Sequence, residues 1–347
     1  MILKTIFRVL VIIAVLLTVF PFFAADAWYI RMFDYPHVQL TFLTLFIGLF
    51  YFFKFEYKNW KDYLFLSALT ICLVVQAIKI YPYTPFAPLE VNASTQEDDS
   101  LKMYIANVLQ KNKEYEKVIE QIKDLEPDLI LLTETDKNWV NKINTEFSKN
   151  YKYKVEVPLP NTYGMLLYTK YPLENQQVNY LIEDSIPSIN AQLNFHDQLI
   201  DLHSIHPKPP MPQHAKTSDN RDAEMMLVAK KVLKKEKLPA LVMGDFNDVA
   251  WSTTTTLFQE VSKLLDVRKG RGFFNTYDAN SYVMRWPLDH VFVSEEFRVQ
   301  QIELLENNGS DHLPIFLELT YEPEHKESQQ QENPSSEEME DANQQMD

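Results

Sequence analysis

Acidic and amide side chains recur in this sequence directly after short apolar runs. Asn107 follows Met-Tyr-Ile-Ala, Glu134 follows Leu-Ile-Leu-Leu-Thr, and Asp245 and Asn247 belong to Gly-Asp-Phe-Asn, which follows Leu-Val-Met. Carboxylates and amides that leave apolar strands at the mouth of a sheet can converge on one site, where they can hold a cation or move a proton. Taken singly, Asn107 could also be a turn residue and Glu134 a helix cap.

The same arrangement continues in the second half of the chain. Asp289 follows Trp-Pro-Leu, Asp311 and His312 precede Leu-Pro-Ile-Phe, and His206 follows a strand-like run and precedes a proline. The order Asn, Glu, His-Pro, Gly-Asp-x-Asn, Asp and Ser-Asp-His-x-Pro along one chain is far less probable by chance than any one of its members. The whole set therefore predicts a single active site.

The elements that must position these residues are mostly strands. Strand-like runs are predicted at residues 101–106, 129–133, 153–157, 165–169, 189–195, 199–205, 240–243, 288–293 and 315–319. Helices are predicted over residues 114–125 and 220–237, and from a cap at Ser252 to Leu265. Many strands with few helices indicate stacked sheets flanked by helices.

This order of motifs resembles the endonuclease/exonuclease/phosphatase superfamily, the fold class of pancreatic DNase, base-excision endonucleases, neutral sphingomyelinases and inositol-polyphosphate phosphatases. The resemblance covers residues 101–321 and is most specific at Gly-Asp-Phe-Asn (244–247) and Ser-Asp-His-Leu-Pro (310–314). The His-Pro-Lys-Pro-Pro loop (206–210) and the leading apolar stretches look most like its bacterial, membrane-anchored YafD-like branch. The resemblance implies an α+β, DNase-like fold, a four-layer α/β/β/α sandwich of two mixed sheets.

The resemblance also implies a hydrolase of phosphoric esters that depends on a divalent metal, Mg²⁺ or Mn²⁺. A phosphodiester resists attack because its oxygens are negative, and a hard cation held by oxygen ligands neutralises that charge. Glu134 is the best candidate metal ligand, with Asn107 and Asp311 beside it. Asp245, steered by Asn247, would orient or deprotonate the attacking water.

Further roles follow from the same resemblance. His312 would contact the scissile phosphate as a cation or act as the base, and Asp289 would fix its tautomer and raise its basicity. His206 would stabilise negative charge that develops in the transition state. Lys208 and Arg221 could bind a non-scissile phosphate, although each could equally be a solvated loop charge.

Three apolar stretches without charges precede this region, at residues 9–25, 38–53 and 63–78. Each approaches the ~20 residues that a transmembrane helix needs, and aromatic residues gather at their ends. A cleaved signal peptide is the alternative for the first stretch, because Lys4 and Arg8 precede it. The sequence predicts three spans and a multi-pass protein of the cell membrane, with the bilayer as a partner.

The basic residues also predict the orientation of these spans. Two basic residues precede the first span, Lys4 and Arg8, and three lie in the second loop, Lys54, Lys58 and Lys61. The first loop carries a single arginine. Because cytoplasmic loops carry an excess of lysine and arginine, the amino terminus should be cytoplasmic and the catalytic domain exoplasmic.

Four regions are therefore predicted: three transmembrane helices (1–82), a linker (83–100), a catalytic domain (101–321) and a disordered acidic tail (322–347). The net charge of −15 leaves about −8 on residues 98–321 once the two ends are set aside, which argues against tight, nonspecific binding of a nucleic-acid backbone. The one cysteine, Cys72, excludes an intramolecular disulfide.

Two substrate classes remain open for the predicted phosphodiesterase: a nucleic acid, and a phospholipid or small phosphoester. A protein that keeps the fold but only binds a partner or serves as a scaffold is the alternative to an enzyme. The completeness of the polar set favours the enzyme, and no obligate protein partner is evident from the sequence.

Overall fold

The structure, a computed structural model, describes residues 2–23, 27–96, 99–211, 217–235 and 237–346. Its strands are β1 Leu101–Asn107, β2 Leu129–Thr133, β3 Tyr153–Val157, β4 Met165–Thr169, β5 Leu173–Asn179, β6 Ser188–Phe195, β7 Gln198–Ile205, β8 Ala240–Asp245, β9 Leu265–Asp266, β10 Asp289–Val293, β11 Phe297–Leu304 and β12 Ile315–Tyr321. Its α-helices are α1 Ile2–Val19, α2 Trp28–Arg31, α3 His37–Phe52, α4 Trp60–Ile80, α5 Tyr115–Leu125, α6 Lys137–Phe147, α7 Asp219–Lys234, α8 Thr253–Ser262 and α9 Ser336–Gln344.

The strands form two six-stranded sheets, with the orders β11-β12-β1-β2-β4-β3 and β5-β6-β7-β8-β10-β9. Strands β1 and β2 pair in parallel, as do β7 and β8, and the remaining neighbours are antiparallel. Both sheets are therefore mixed, as predicted.

Alternation along β1 shows how the sheets are layered. Met103 and Ile105 lie in the core between the two sheets, whereas Tyr104 and Ala106 pack with residues of α5 and α6. Successive side chains of a strand point to opposite faces, so a strand covered on both faces must be apolar at nearly every position. Helices α7 and α8 cover the outer face of the second sheet in the same way. This arrangement confirms the α+β sandwich of two mixed sheets.

Helices α1, α3 and α4, which precede the strands in the chain, pack against one another. Gln76 of α4 donates hydrogen bonds to Thr18 and Thr44 at 2.6 and 3.1 Å. Two of the apolar segments, Lys4–Phe22 and Trp60–Tyr83, are long enough to cross a membrane. The first could also be a signal sequence, since it lies near the amino terminus. The predicted first stretch continues into residues 24 and 25, which lie outside the described part of the chain.

The predicted second span is a helix of the length that the sequence indicates, but it is shorter than the other two candidate spans. Helix α3 has 16 residues, which corresponds to about 24 Å of helix, and it begins directly after Pro36. A bilayer core needs ~20 residues. The described residues thus supply two candidate spans rather than three, with α3 as a shorter apolar helix between them.

Several residues of the segment 83–100, predicted to be a linker, instead pack against the domain formed by the sheets. Val91 is buried in the core between the sheets, and Ala93 forms a β-bridge with Val299. Thr95 donates both its backbone N–H and its hydroxyl to the Glu322 carboxylate. Proline and polar residues suggested a linker, but these contacts fix the segment to the domain.

The tail is also more structured than its composition indicates. A 3₁₀ helix spans Pro323–Gln329, and α9 begins with a capping box formed by Ser335 and Glu338. Ala342 of α9 is fully buried against α7 and α8. Capping satisfies free N–H groups at the start of this short polar helix, and Met339 and Met346 pack against the same cluster as Ala342. The prediction of disorder did not anticipate either contact.

The segment between α1 and α3 docks directly onto the domain formed by the sheets. Arg31 forms an ion pair with Asp222 at 3.2 Å, and the Trp251 indole donates to the Asp34 carbonyl at 2.8 Å. The Tyr35 hydroxyl donates to the carbonyl of Asn247 at 2.8 Å. The apolar helices are therefore joined to the sheets by buried polar contacts as well as by the chain itself.

Candidate active site

Strand register brings the predicted polar residues to one edge of the sandwich. In the first sheet, Asn107 ends β1 opposite Thr133 of β2, and Glu134 is the next residue. In the second sheet, Asp289 begins β10 opposite Asp245, the last residue of β8. Adjacent strands lie about 4.8 Å apart, so residues paired in this way lie close together.

Gly244 allows strands β7 and β8 of the second sheet to lie close together beside the site. It has a φ of 142°, and a Cβ built there would lie 2.0 Å from the carbonyl oxygen of Ile205 on β7. His206 follows Ile205 directly. Glycine is required in the Gly-Asp-Phe-Asn motif because any other residue would push β7, and His206 with it, away from β8.

The Asn107 amide connects two carboxylates across the interface between the sheets. Its nitrogen donates to Glu134 Oε1 at 3.0 Å and to Asp245 Oδ2 at 2.9 Å. Its backbone carbonyl accepts a hydrogen bond from the Ser310 hydroxyl at 2.7 Å, which fixes the start of the Ser-Asp-His motif beside it. Asn107 is therefore the residue through which the first sheet, the second sheet and the loop before β12 meet.

Asp289 and His312 form a buried pair. His312 Nδ1 donates to Asp289 Oδ2 at 2.7 Å, and both side chains are almost completely buried. Burial alone would lower the pKa of His312, but the Asp289 and Asp245 carboxylates raise it to about 10. Burial opposes the ionisation of Asp289, yet the His312 charge holds the pKa of that carboxyl below its usual value. The two carboxylates therefore favour the protonated form of His312.

The second histidine faces the same carboxylate. His206 Nε2 lies 3.6 Å from Asp245 Oδ2, and His312 Nε2 lies 3.7 Å from that same oxygen. Burial and the nearby Asp289 raise the pKa of Asp245, against the effect of the two histidines. The Tyr163 ring packs against the His206 ring at a centroid distance of 5.3 Å. Two imidazoles thus flank one buried carboxylate.

Asn247 occupies a constrained position next to Asp245. Its φ of 51° is in the left-handed region, and its backbone N–H donates to Asp245 Oδ1 at 2.9 Å. Its side-chain amide donates to the Pro207 carbonyl at 2.9 Å, which connects it to the loop that follows His206. The residue therefore orients Asp245 through its backbone rather than through its side chain.

A cleft of about 290 Å³ opens at this edge of the sandwich, and its lining includes Glu134, His206 and Asn247. A larger cavity of about 1100 Å³ lies elsewhere, between the end of α4, α8 and α9. Because none of the polar residues that converge on Asp245 lines that larger cavity, we assign the chemistry to the smaller cleft.

Oxygen ligands for a hard cation are available beside the cleft. Asp311 Oδ1 is buried and has no hydrogen-bond partner, and Glu134 is only partly buried, with its carboxylate held by Asn107. Burial and the neighbouring Glu134 raise the pKa of Asp311, an effect that a bound cation would reverse. The Asn107 Oδ1 atom accepts from Leu109 N at 3.0 Å and keeps a second lone pair. This donor set fits Mg²⁺.

A second group with metal-ligand spacing consists of Asp245, Asp289 and His312, whose ligand atoms lie within 4.8 Å of one another. The protonated His312 already supplies positive charge between these two carboxylates. Because His312 Nδ1 and Asp289 Oδ2 are bonded to each other and Asp245 Oδ2 accepts from Asn107, we place the cation at Glu134 and Asp311 instead.

The two predicted phosphate-binding cations are engaged within the protein. Lys208 forms a salt bridge with Glu183 at 3.0 Å. Arg221 is fully buried, lies within 2.7 Å of Asp222 and 3.2 Å of Asp248, and donates to the Asn247 carbonyl at 3.0 Å. We therefore correct the prediction for Arg221: its guanidinium supports the Asn247 loop and is not presented to a substrate.

Sequence reasoning missed two residues that contact the site. Tyr35, from the segment between α1 and α3, donates to the Asn247 carbonyl, and the Tyr277 ring lies 5.0 Å from the His312 ring. Neither residue follows a predicted strand, and the chain separates Tyr35 from Asn247 by 212 positions. No local pattern could have identified them.

Comparison with known proteins gives a consistent result. Residues 103–312 match the model of the Endonuclease/Exonuclease/phosphatase family. No curated protein matches the chain. Similar solved structures include D. rerio TDP2 complexed with single-strand DNA product, the human Nocturnin catalytic domain with bound sulfate anion, and a mannosyl-6-phosphatase from Bacteroides thetaiotaomicron.

These structures are similar to the chain in fold. Their sequence identities are 16%, 17% and 18%, and their TM-scores are 0.52, 0.51 and 0.53, in the same order. The similarity covers 64%, 65% and 64% of this chain and 100%, 96% and 100% of theirs. The family model matches more than half of the chain and includes each residue that converges on Asp245. The chain therefore belongs to the endonuclease/exonuclease/phosphatase family.

Proposed function

We propose that the protein is a membrane-anchored hydrolase that cleaves a phosphodiester with the help of a divalent metal ion, Mg²⁺ or Mn²⁺. One observation carries the proposal: Asn107, His206 and His312 all face the buried Asp245 carboxylate, with Glu134 and Asp311 beside them. Such a set combines positive charge for a phosphate with carboxylates for a metal and for water.

The histidines would bind and polarise the phosphate. The Nε2 atoms of His206 and His312 both approach Asp245 Oδ2, at 3.6 and 3.7 Å, so both could donate to the oxygens of one phosphoryl group. The Asp289 and Asp245 carboxylates favour the charged form of His312, and Asp289 fixes its Nδ1 proton. Negative charge that develops on the phosphate would therefore be met by donors already oriented by the protein, which needs little reorganisation.

Asp245 would orient the attacking water and accept its proton. The Asn107 amide and the Asn247 backbone N–H hold its two oxygens. A raised carboxyl pKa makes the ionised form a stronger base, which suits proton transfer near neutral pH. Glu134 and Asp311, with Asn107, would hold the metal ion, and that ion would supply neutralising charge to the substrate phosphate.

The apolar helices support membrane anchoring. Large apolar side chains remain exposed on the outside of the helix bundle, among them Phe42, Phe46, Leu64, Ile71 and Ile78, each more than half exposed. An apolar outer surface is expected of helices that face lipid. If α3 also crosses the bilayer, as the sequence predicts, the lysine and arginine bias would place the domain on the exoplasmic side.

The test uses the full chain in lipid nanodiscs, because contacts of Arg31, Tyr35, Val91 and Thr95 join the segments that precede β1 to the catalytic domain. Hydrolysis of bis(p-nitrophenyl) phosphate is measured with Mg²⁺, with Mn²⁺ and with EDTA. The variants His312→Ala and Asp245→Asn should abolish turnover, whereas His196→Ala, at an exposed histidine in the β6–β7 turn, should not change it. A folded wild type without metal-dependent turnover would refute the proposal and favour a binding or scaffold protein.

A further inference from the structure

A loop of residues 277–286 connects the candidate active site to an apolar helix. At one end, the Tyr277 ring lies 5.0 Å from the His312 ring, and Ala279 N donates to the Asp311 carbonyl at 2.7 Å. At the other end, the Gln39 amide donates to the Val283 carbonyl at 2.6 Å. The loop therefore touches both the catalytic residues and the first turn of α3.

The contact with Gln39 shows which turn of helix α3 lies level with the loop. Gln39 is the third residue of α3, and Phe42 and Leu43, one turn further along, are 67% and 45% exposed. Exposed apolar residues of this kind belong in the hydrocarbon of a bilayer. The loop consequently lies where α3 would enter the membrane, at the boundary between water and lipid.

Three consecutive apolar residues form the tip of this loop. Tyr282 is 99% exposed, Val283 is 69% exposed and Met284 is 48% exposed. Soluble surfaces rarely present contiguous apolar side chains without a partner. An aromatic residue followed by aliphatic ones suits the bilayer interface, because the ring can sit at headgroup level while the others reach the acyl chains.

The tip is held in shape by its own hydrogen bonds. The Ser281 hydroxyl accepts from the backbone N–H groups of Val283 and Met284, at 3.3 and 2.8 Å. Arg285 donates to the carbonyls of Asp278 and Ala279, at 3.3 and 3.0 Å, and so closes the base of the loop. The apolar residues are thus presented outward by a preformed turn and do not need to fold on contact with lipid.

We propose that this tip, defined as residues 282–284, inserts into the surface of the bilayer, and that the substrate of the active site is the phosphodiester headgroup of a membrane lipid. The inference rests on the proposed function and names its substrate class. The loop that carries the tip begins at Tyr277, whose ring lies 5.0 Å from the His312 ring, so a lipid held at the tip would lie at the same end of the loop system as the site and could reach it without leaving the membrane.

Charge favours a lipid over a nucleic acid. Residues 98–321 carry a net charge of about −8, and Asp278, Asp311 and Glu134 all lie near the mouth of the site. A nucleic acid presents a row of phosphates that needs lysine and arginine along the whole groove. A lipid presents a single diester, for which His206, His312 and one metal ion are sufficient.

Insertion can be measured without activity. The chain has one cysteine, so Cys72→Ser followed by Met284→Cys or Val178→Cys places one nitroxide spin label at the tip or on edge strand β5. The full chain is reconstituted into phosphatidylcholine–phosphatidylglycerol vesicles. The label at 284 should be more accessible to oxygen than to a water-soluble nickel complex, and the label at 178 should show the reverse. A water-exposed label at 284 would overturn insertion.

The substrate class is tested with the triple variant Tyr282→Ser, Val283→Ser and Met284→Ser. Its matched control is Val178→Ser with Tyr180→Ser, which removes exposed apolar side chains at the β5 edge. Wild type and variants are compared on vesicle phosphatidylglycerol, phosphatidylcholine and sphingomyelin, on bis(p-nitrophenyl) phosphate and on a single-stranded DNA. Burial of one such side chain is worth enough that the triple variant should lose about tenfold or more of its lipid hydrolysis.

The outcomes separate this inference from the proposed function. Loss of lipid hydrolysis in the triple variant, with the soluble diester and the control variant unaffected, supports the inference. Metal-dependent hydrolysis of the soluble diester or DNA without hydrolysis of any of the three lipids would overturn the lipid substrate and leave the phosphodiesterase intact. Absence of turnover on every substrate would refute the proposed function itself.

Discussion

The substitution Tyr35→Phe tests whether the segment between the apolar helices α1 and α3 positions the active site. The Tyr35 hydroxyl and the Arg221 guanidinium donate to the same Asn247 carbonyl, at 2.8 and 3.0 Å. The left-handed backbone of Asn247 costs on the order of 1 kcal/mol relative to ordinary conformations. Its conformation, and through it the orientation of Asp245, therefore depends on external contacts of this kind.

The size of the effect follows from the contacts that remain. The phenylalanine ring preserves the edge-on packing against Trp286, so only one hydrogen bond is lost, worth about 1 kcal/mol net. The Asn247 carbonyl keeps Arg221 as a donor and is not left unsatisfied. If this bond favours the catalytic arrangement of the loop, its loss lowers kcat about fivefold. KM should be nearly unchanged, because Tyr35 makes no contact with the histidines that would bind phosphate.

The assay compares initial rates of the full chain in nanodiscs on bis(p-nitrophenyl) phosphate over a range of substrate concentrations. Tyr151→Phe is the matched control, because the Tyr151 hydroxyl donates to the buried Pro127 carbonyl at 2.6 Å, within the layer of α6 and the first sheet. Tyr151→Phe should lower the melting temperature at least as much as Tyr35→Phe, because the buried Pro127 carbonyl loses the donor described for it. Equal kcat values for the two variants would refute a positioning role for Tyr35 and leave only a structural one.

Asp289→Asn should let the pKa of His312 fall from about 10 toward 6.5, so activity at pH 8 should drop by about 30-fold and the pH–rate profile should lose its alkaline plateau. Because the pKa of His312 is raised in the folded protein, its contribution to stability is complete below pH 6.5 and is lost as the pH rises through about 10. In urea unfolding, the wild type should therefore be more stable than Asp289→Asn at low pH, and this difference should shrink over that range. Asn107→Ala should weaken Mg²⁺ binding by about 10- to 100-fold, measured by calorimetry, because the amide orients Glu134; unchanged affinity would contradict this. Burial, aided by Glu183, raises the pKa of Glu224 from 4.5 to about 8, so the free energy of unfolding should fall as the pH rises from 4.5 to about 8. Glu224→Gln should stabilise the protein on the order of 3 kcal/mol at pH 7 and flatten this pH dependence in thermal melts.

The central strands were predictable because they are buried on both faces. Strand β2, for example, is apolar at every position except its final threonine, and a short run of that kind between turn signals is typical of a buried strand. Strand β5 was missed because six of its seven residues are at least partly exposed and polar residues predominate, as they do on the edge of a sheet. Edge strands are defined by their neighbour, which local sequence does not reveal.

Helix α6 was missed for a related reason. Its buried residues Trp139, Ile143 and Phe147 recur every four positions, but most of its other residues are polar or charged and no long apolar run marks the element. Its beginning is specified by Asp136, whose carboxylate accepts from two backbone N–H groups. The cap and the spacing were present in the sequence, but the pattern is weak without the sheet against which it packs.

The candidate site was predictable as a set of positions but not as a set of contacts. Residues that follow strands were expected to converge, and the register of β1, β2, β8 and β10 brings them together. The pattern could not distinguish Arg221, which forms ion pairs with Asp222 and Asp248, from an arginine available to a substrate. Such a distinction depends on burial, which only the packed helix α7 determines.

The pairing of β1 with β12 has a consequence for the order of events during synthesis. Leu101 lies opposite Leu319, so the strand that carries Asn107 finds one of its two neighbours more than two hundred residues later in the chain. The loop with Asp311 and His312 immediately precedes β12, and Ser310 bonds directly to Asn107. The nascent chain therefore cannot bring Asn107 together with Asp311 and His312 until β12 has left the ribosome. A polypeptide whose synthesis stops before β12 should have no catalytic activity, even if its apolar helices have already inserted into the membrane.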